Sequence, residues 1–179
     1  MIKKTVLKYY KQQLCTKKEG GIFMKDLSFM VDDNVKLNVR TTGIFINDGK
    51  ILVHKCGENE HYALPGGRVQ AREDSITALK REVSEELDLE IENTSFIGAV
   101  ENFFTVPEAK FHEYMWMIKC DFKDKSVYNQ EQIIGHEKDK EMIFEWIDVN
   151  KLEELDFKPV EVIPYLKNID GKVHHMIIK

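Results

Sequence analysis

The chain has 179 residues, 42% hydrophobic and 32% charged, with a formal net charge of −5, a composition that suits one domain with a core of its own. No apolar run nears the ~18 residues that cross a bilayer, and the amino-terminal residues lack the apolar stretch of a secretory signal. Cys15, Cys56 and Cys120 follow no CxxC spacing, which argues against a zinc site or a disulfide framework and for reduced thiols in a cytoplasmic protein.

The charge is unevenly spread. Residues 1–23 carry six lysines against one glutamate, so +5, which leaves −10 for the rest. A body that acidic is a poor general binder of nucleic acid. If it handles phosphates, metal ions must screen the repulsion. The basic segment has helical spacing at Ile2, Val6 and Tyr9, compatible with an arm on a membrane surface or with a plain disordered arm. Its "KEGG", residues 18–21, can be encoded with the purine tract AAGGAGG, two codons ahead of the ATG of Met24. That is the layout of a bacterial ribosome-binding site. The expectation is therefore that translation can begin at Met24, with 1–23 an extension and 24–179 the domain.

In chain order, "VKLNVRTTGIFIND" from residue 35 alternates and is rich in β-branched residues. With "ILVHKC" beyond the Asp48-Gly49 turn, it predicts a hairpin. "YALPGGRV" predicts a short strand running into a glycine turn. Residues 75–87 place Ile76, Leu79, Val83 and Leu87 on one helical stripe, with Ser75 as the expected N-cap. "SFIGAVENFF", "EYMWMIKCDF" and "EMIFEWIDV" predict strands. "NKLEEL" predicts a short helix capped by Asn150, "PVEVIPYLKNI" a helix from Pro159, and "KVHHMIIK" a last strand or tail. Interspersed strands and helices indicate an α/β class with a mixed sheet.

The chemistry concentrates on the helix over 75–87. Glu82, Glu85 and Glu86 stand at i, i+3 and i+4, so their side chains are neighbours roughly 5–6 Å apart at Cβ. Their stripe borders the apolar one, which puts them at the edge of the core, where a carboxylate needs a partner or a metal ion. Taken alone, such a cluster is more often a solvated face. Its surroundings alter that reading. Gly66-Gly67 supplies a turn where backbone can approach a ligand, and Arg81 is placed to pair with Glu73 in the two-pronged manner suited to Arg.

Gly67, Glu73, Arg81-Glu82-Val83, Glu85-Glu86 and Leu89 together resemble the Nudix box: G, five residues, E, seven residues, R-E-apolar-x-E-E-x-G-apolar. Six fixed positions at roughly 6% usage each match by chance on the order of once in 10⁷ starts. Asp88 departs from the pattern, standing where the family has a glycine expected to end the helix in a left-handed conformation; Asp tolerates that conformation at about 1 kcal/mol.

The resemblance implies an α/β/α Nudix sandwich with a mixed sheet over about 35–179. It implies hydrolysis of a nucleoside diphosphate linked to another group, with Mg²⁺ or Mn²⁺ as cofactor. By the same resemblance Glu82, Glu85 and Glu86 are metal positions, the Gly67 carbonyl an added ligand, and Glu73 and Arg81 structural. The base that takes the water's proton varies within the family. Candidates are Glu85, Glu86, Glu101 and Glu113, the last two balanced by an ordinary role as strand-edge charge. Arg40 and Arg68 are candidates for phosphate, Arg68 the favoured one beside Gly67. Phe103 and Phe104 are candidates for stacking a base, although a core role is the commoner use of such residues. His112 is expected to be a surface or structural imidazole. The partner expected is a small-molecule nucleotide derivative, with no membrane and no general nucleic-acid binding; a homodimer is compatible. The identity of the nucleoside is not written in the residues beyond Leu89. Two other readings compete: a Nudix-fold module that senses a nucleotide without cleaving it, which would be expected to have lost box glutamates, and an isoprenoid-diphosphate isomerase, which would want a catalytic cysteine, whereas nothing marks Cys56 as activated.

Overall fold

A computed structural model describes residues 25–56, 61–137 and 140–179, so the basic extension of residues 1–23 lies outside the described residues. Two sheets form the middle of the molecule. The first has five strands in the order β1 (Ser28–Met30), β2 (Val35–Ile44), β7 (Ala109–Phe122), β6 (Ile91–Val106) and β10 (His174–Ile178). Its β2–β7 and β6–β10 pairs are parallel and the others antiparallel, the mixed sheet expected. The second has β3 (Ile46–Asn47), β4 (Lys50–Cys56), β9 (Lys140–Asp148) and β8 (Gln132–Glu137), with β5 (His61–Ala63) on β4. Helix α1 (Ser75–Leu87) packs on one side, and short 3₁₀ segments with α2 (Ile163–Lys167) on the other.

The expected hairpin is real but short. Asp48 and Gly49 take positive φ of 48° and 75°, the turn that matches strand twist. Only Ile46 and Asn47 pair across it, with Ile51 and Lys50. The preceding ten residues belong instead to the other sheet. The switch falls at Phe45, fully buried and stacked on Phe122 with ring centres 4.2 Å apart. Its ring belongs to the same core as Leu52 and Phe144 of the second sheet, so it fills the space between the layers where the chain changes sheet.

Two cores flank the first sheet. Leu79, Val83 and Leu87 of α1 pack with Leu52, Ile118, Phe122 and Phe144. Val100, Met115 and Met117 pack with Ile51, Val53, Ile163 and Leu166. Residues paired across strands share a face, and alternate residues change face. One face of the first sheet, here termed the inner face, therefore carries Asn38 and Arg40 of β2, Glu113 and Met115 of β7, and Asn102 and Val100 of β6. The opposite face carries Glu101, Phe103, His112, Tyr114 and Trp116.

Several expectations need correction. Asp148, rather than Asn150, caps the segment Val149–Glu154, which is 3₁₀ and not α. The helix from Pro159 begins as a 3₁₀ turn and becomes α-helical at Ile163. Of the two readings of the last segment, the strand is the one found: His174–Ile178 form β10. Strands β1 and β8 were not legible. In β8 the break in pattern is Gly135, where a Cβ would stand 2.5 Å from the Glu86 carbonyl oxygen; the glycine lets β8 lie directly against α1.

Candidate active site

The cap of helix α1 falls one residue earlier than expected. Asp74, not Ser75, is the N-cap: its Oδ1 accepts from the Ile76 and Thr77 amides at 3.0 Å each, and Oδ2 from the Thr77 hydroxyl at 2.7 Å. A carboxylate outcompetes a hydroxyl for the orphan amides because it also complements the positive end of the helix dipole. The helix ends at Asp88 with φ 53° and ψ 35°, the left-handed conformation expected there.

Arg81 organises the site. Its Nε and Nη2 donate to the two oxygens of Glu73 at 2.9 Å each, and Nη2 also to the Arg68 carbonyl at 2.9 Å. The Glu73 carboxylate accepts from the Gln70 amide as well, at 3.0 Å. Its side chain is 4% exposed, and the Arg81 guanidinium beside it holds its carboxyl below the ordinary value of 4.5. This is the expected clamp, tying the loop after Gly67 to the helix. The remaining nitrogen, Nη1, reaches Glu82 Oε1 at 2.8 Å and Glu85 Oε2 at 3.1 Å.

The three helix glutamates differ in exposure. Glu86 is buried at 8%, the Glu82 side chain is 15% exposed and that of Glu85 60%. Burial pushes the Glu82 carboxyl up despite the Arg81 hydrogen bond, so it is a carboxylate short of positive charge. Gly67 explains how it fits: a Cβ there would stand 2.3–2.6 Å from the Glu82 carboxylate. The Gly67 carbonyl accepts from the Thr41 amide at 2.9 Å and keeps a second lone pair. Among the described residues no group of three His, Cys, Asp or Glu side chains converges closely enough to enclose an ion; Arg81 lies between Glu82 and Glu85. The donors present are nonetheless hard oxygens, one of them undercompensated, and that fits a hard divalent ion.

The other candidates divide between the two faces of the sheet. Glu113 is on the inner face, 6% exposed, with Oε2 accepting from Asn38 Nδ2 at 2.6 Å and Oε1 from Asn102 Nδ2 at 3.4 Å. Glu101 is on the opposite face, 2.8 Å from His175 Nε2 and 3.9 Å from His112 Nε2. Phe103 shares that face, 36% exposed and against His112 with ring centres 4.4 Å apart. Phe104 is on the inner face, stacked on Phe111 at 4.7 Å. The two adjacent phenylalanines thus point apart. Arg40 Nη2 is 3.5 Å from the Gly66 carbonyl. Arg68, half exposed, lies 3.7 Å from Asp26. The Cys56 side chain is outside the described residues.

Asn38 and Asn102 were missed by sequence reasoning, and so was His54, which is buried, stacked on Phe144 and pushed down to about 4 by burial and by Arg40. The available signal was a polar residue at an inward position of an otherwise apolar alternation, which only a known register reveals.

A family model described as NUDIX domain matches residues 37–166. No curated protein matches the chain significantly. Among solved structures, a mutator MutT protein from Bacillus halodurans superposes with a TM-score of 0.55 at 15% identity, over 77% of this chain and 89% of that one. An ADP-ribose pyrophosphatase from Streptococcus suis 89-1591 gives 0.55 at 14%, over 78% and 98%. A NUDIX hydrolase from Nitrosomonas europaea gives 0.53 at 16%, over 88% and 82%. At such identities the likeness is one of fold.

Proposed function

The chain belongs to the Nudix hydrolase family, and on that premise we propose that it cleaves the diphosphate of a nucleoside diphosphate linked to another group, by attack of water at phosphorus. The observation that carries this reading is the undercompensated Glu82 carboxylate pressed against Gly67, with Glu85 and Glu86 beside it on one helix edge. Glu82, Glu85, Glu86 and the Gly67 carbonyl would hold Mg²⁺ or Mn²⁺, which when bound neutralises phosphate charge and acidifies a water. Arg68, half exposed beside the glycines, would bind a phosphate. The Glu73–Arg81 clamp holds loop and helix in one geometry, and positioning supplies much of the rate in such displacements. Glu101 and Glu113 are engaged with histidines and amides respectively, whereas Glu85 and Glu86 stand on the helix that would hold the ion, so the proton of the attacking water would pass to one of these two. A module that senses without turnover is disfavoured because all three helix glutamates are kept.

The test is phosphate release from a panel of nucleoside diphosphate derivatives, with and without Mg²⁺ or Mn²⁺. Turnover that chelation abolishes and either ion restores is expected. Binding without turnover across the panel would select the sensing module.

A further inference from the structure

The inner face of the first sheet holds a row of polar side chains that the cleavage chemistry does not use. Asn38, Glu113 and Asn102 lie side by side on β2, β7 and β6, in register, and are 6%, 6% and 7% exposed. A carboxylate only accepts, so both amides must present their NH₂ groups to it; Asn38 Nδ2 and Asn102 Nδ2 do. That fixes the amide orientations and turns the oxygens away. Among the described residues, Asn38 Oδ1 is left buried without a hydrogen-bond partner. Two residues along the same face of the same strand, Arg40 Nε is also buried without one among the described residues. A buried acceptor and a buried donor left open within one strand repeat cost stability unless something completes them.

We infer that this row reads the Watson–Crick edge of a guanine in the substrate, an inference that rests on the nucleotide-hydrolase reading above. Guanine presents an acceptor, O6, beside two donors, N1–H and N2–H₂. Arg40 Nε matches the acceptor; Asn38 Oδ1 and the free lone pairs of the Glu113 carboxylate match the donors. Adenine offers an acceptor where guanine has N1–H, and the carboxylate would face it lone pair to lone pair. Hypoxanthine keeps O6 and N1–H but lacks the amino group. The next row outward is Lys36, Phe111 and Phe104, all half-buried, with the two rings stacked at 4.7 Å and Lys36 Nζ 5.5 Å from the Phe111 centre. A base enters past this aromatic border, which supplies an apolar wall for its face. The opposite end of the row leads through Arg40 to Gly66, 3.5 Å from its Nη2, and so to the glycine turn where the phosphates are placed. Glu113 thereby becomes a specificity residue rather than the base of the reaction.

The experiment measures equilibrium binding of GDP, IDP and ADP to the full chain, beside kcat/KM for the corresponding diphosphate derivatives. GDP is expected to bind at least about tenfold more tightly than IDP or ADP, the discrimination of a good paired contact to a base edge. Glu113→Gln, which turns one acceptor into a donor, is expected to erase most of that preference. Should Glu113→Gln fail to fold, Asn38→Ser, which shortens the open acceptor out of reach, is expected to narrow the GDP-to-IDP ratio. Equal binding of all three nucleotides overturns the assignment, as does a preference that survives the variants. If guanine preference stands without hydrolysis of any derivative, the hydrolase reading fails and the base assignment holds; hydrolysis without preference is the reverse.

Discussion

At the scale of single residues, Arg81 governs the site. Its guanidinium bridges the structural carboxylate, Glu73, and two of the proposed metal ligands, Glu82 and Glu85. An incoming ion must therefore exchange with a resident positive charge, and a monovalent ion gains little by that exchange where a divalent one does. Replacing Glu85 or Glu86 by Gln keeps shape and removes charge; turnover is expected to fall at least about 10²-fold, as for loss of a group that stabilises the transition state, with the fold retained. Near-wild-type rates in both variants would remove the helix from the chemistry. Glu73→Gln tests the clamp instead. Because Arg81 lowers the Glu73 carboxyl below 4.5, its stabilisation is complete above that pH and is lost as pH falls through the lowered value. The variant should be less stable than the parent by about 2 kcal/mol at neutral pH, and chemical denaturation should show the gap closing in acid. A gap that widens in acid would contradict the pairing.

At the scale of elements, the loop ahead of α1 matters more than the helix interior. Gly66 and Gly67 are adjacent, yet their substitution should have opposite consequences. At Gly66 φ is 130° and a Cβ would lie 2.3 Å from the Thr41 carbonyl oxygen, which is backbone and cannot yield. At Gly67 the obstacle is the Glu82 carboxylate, the end of a mobile side chain. Gly66→Ala should cost roughly 2–4 kcal/mol of stability. Gly67→Ala should fold near normally but weaken divalent-ion binding, measured by calorimetry. Equal loss of stability in both would mean that Glu82 is not what Gly67 accommodates. The clamp and the helix were legible in the sequence because both rest on spacing within a short segment: Glu73 to Arg81, Arg81 to the glutamates. The N-caps were not, because Asp74 and Ser75 are adjacent capable residues and the winner depends on where the backbone enters. The switch of sheet at Phe45 was not legible either, since a continuous alternating run carries no mark of the layer it must cross.

At the scale of the whole molecule, the α/β/α architecture was legible as a class, but the division of site residues between sheet faces was not. Phe103 and Phe104, and Glu101 and Glu113, could be sorted only by the register of β6 against β7. The family match begins at residue 37. A chain beginning at Met24 should therefore keep its thermal midpoint and its turnover, checked side by side with the full chain; loss of folding would show that the basic extension packs on the domain. The two parallel pairings have a further consequence. They join partners far apart in sequence, Asn38 with Glu113 and Glu101 with His175, separated by 75 and 74 residues. Such contacts must wait for long loops to close, which places the domain among slower-folding topologies. During synthesis β6 holds an unpaired edge until β10 has emerged, and in that interval the nascent chain is open to pairing with another copy.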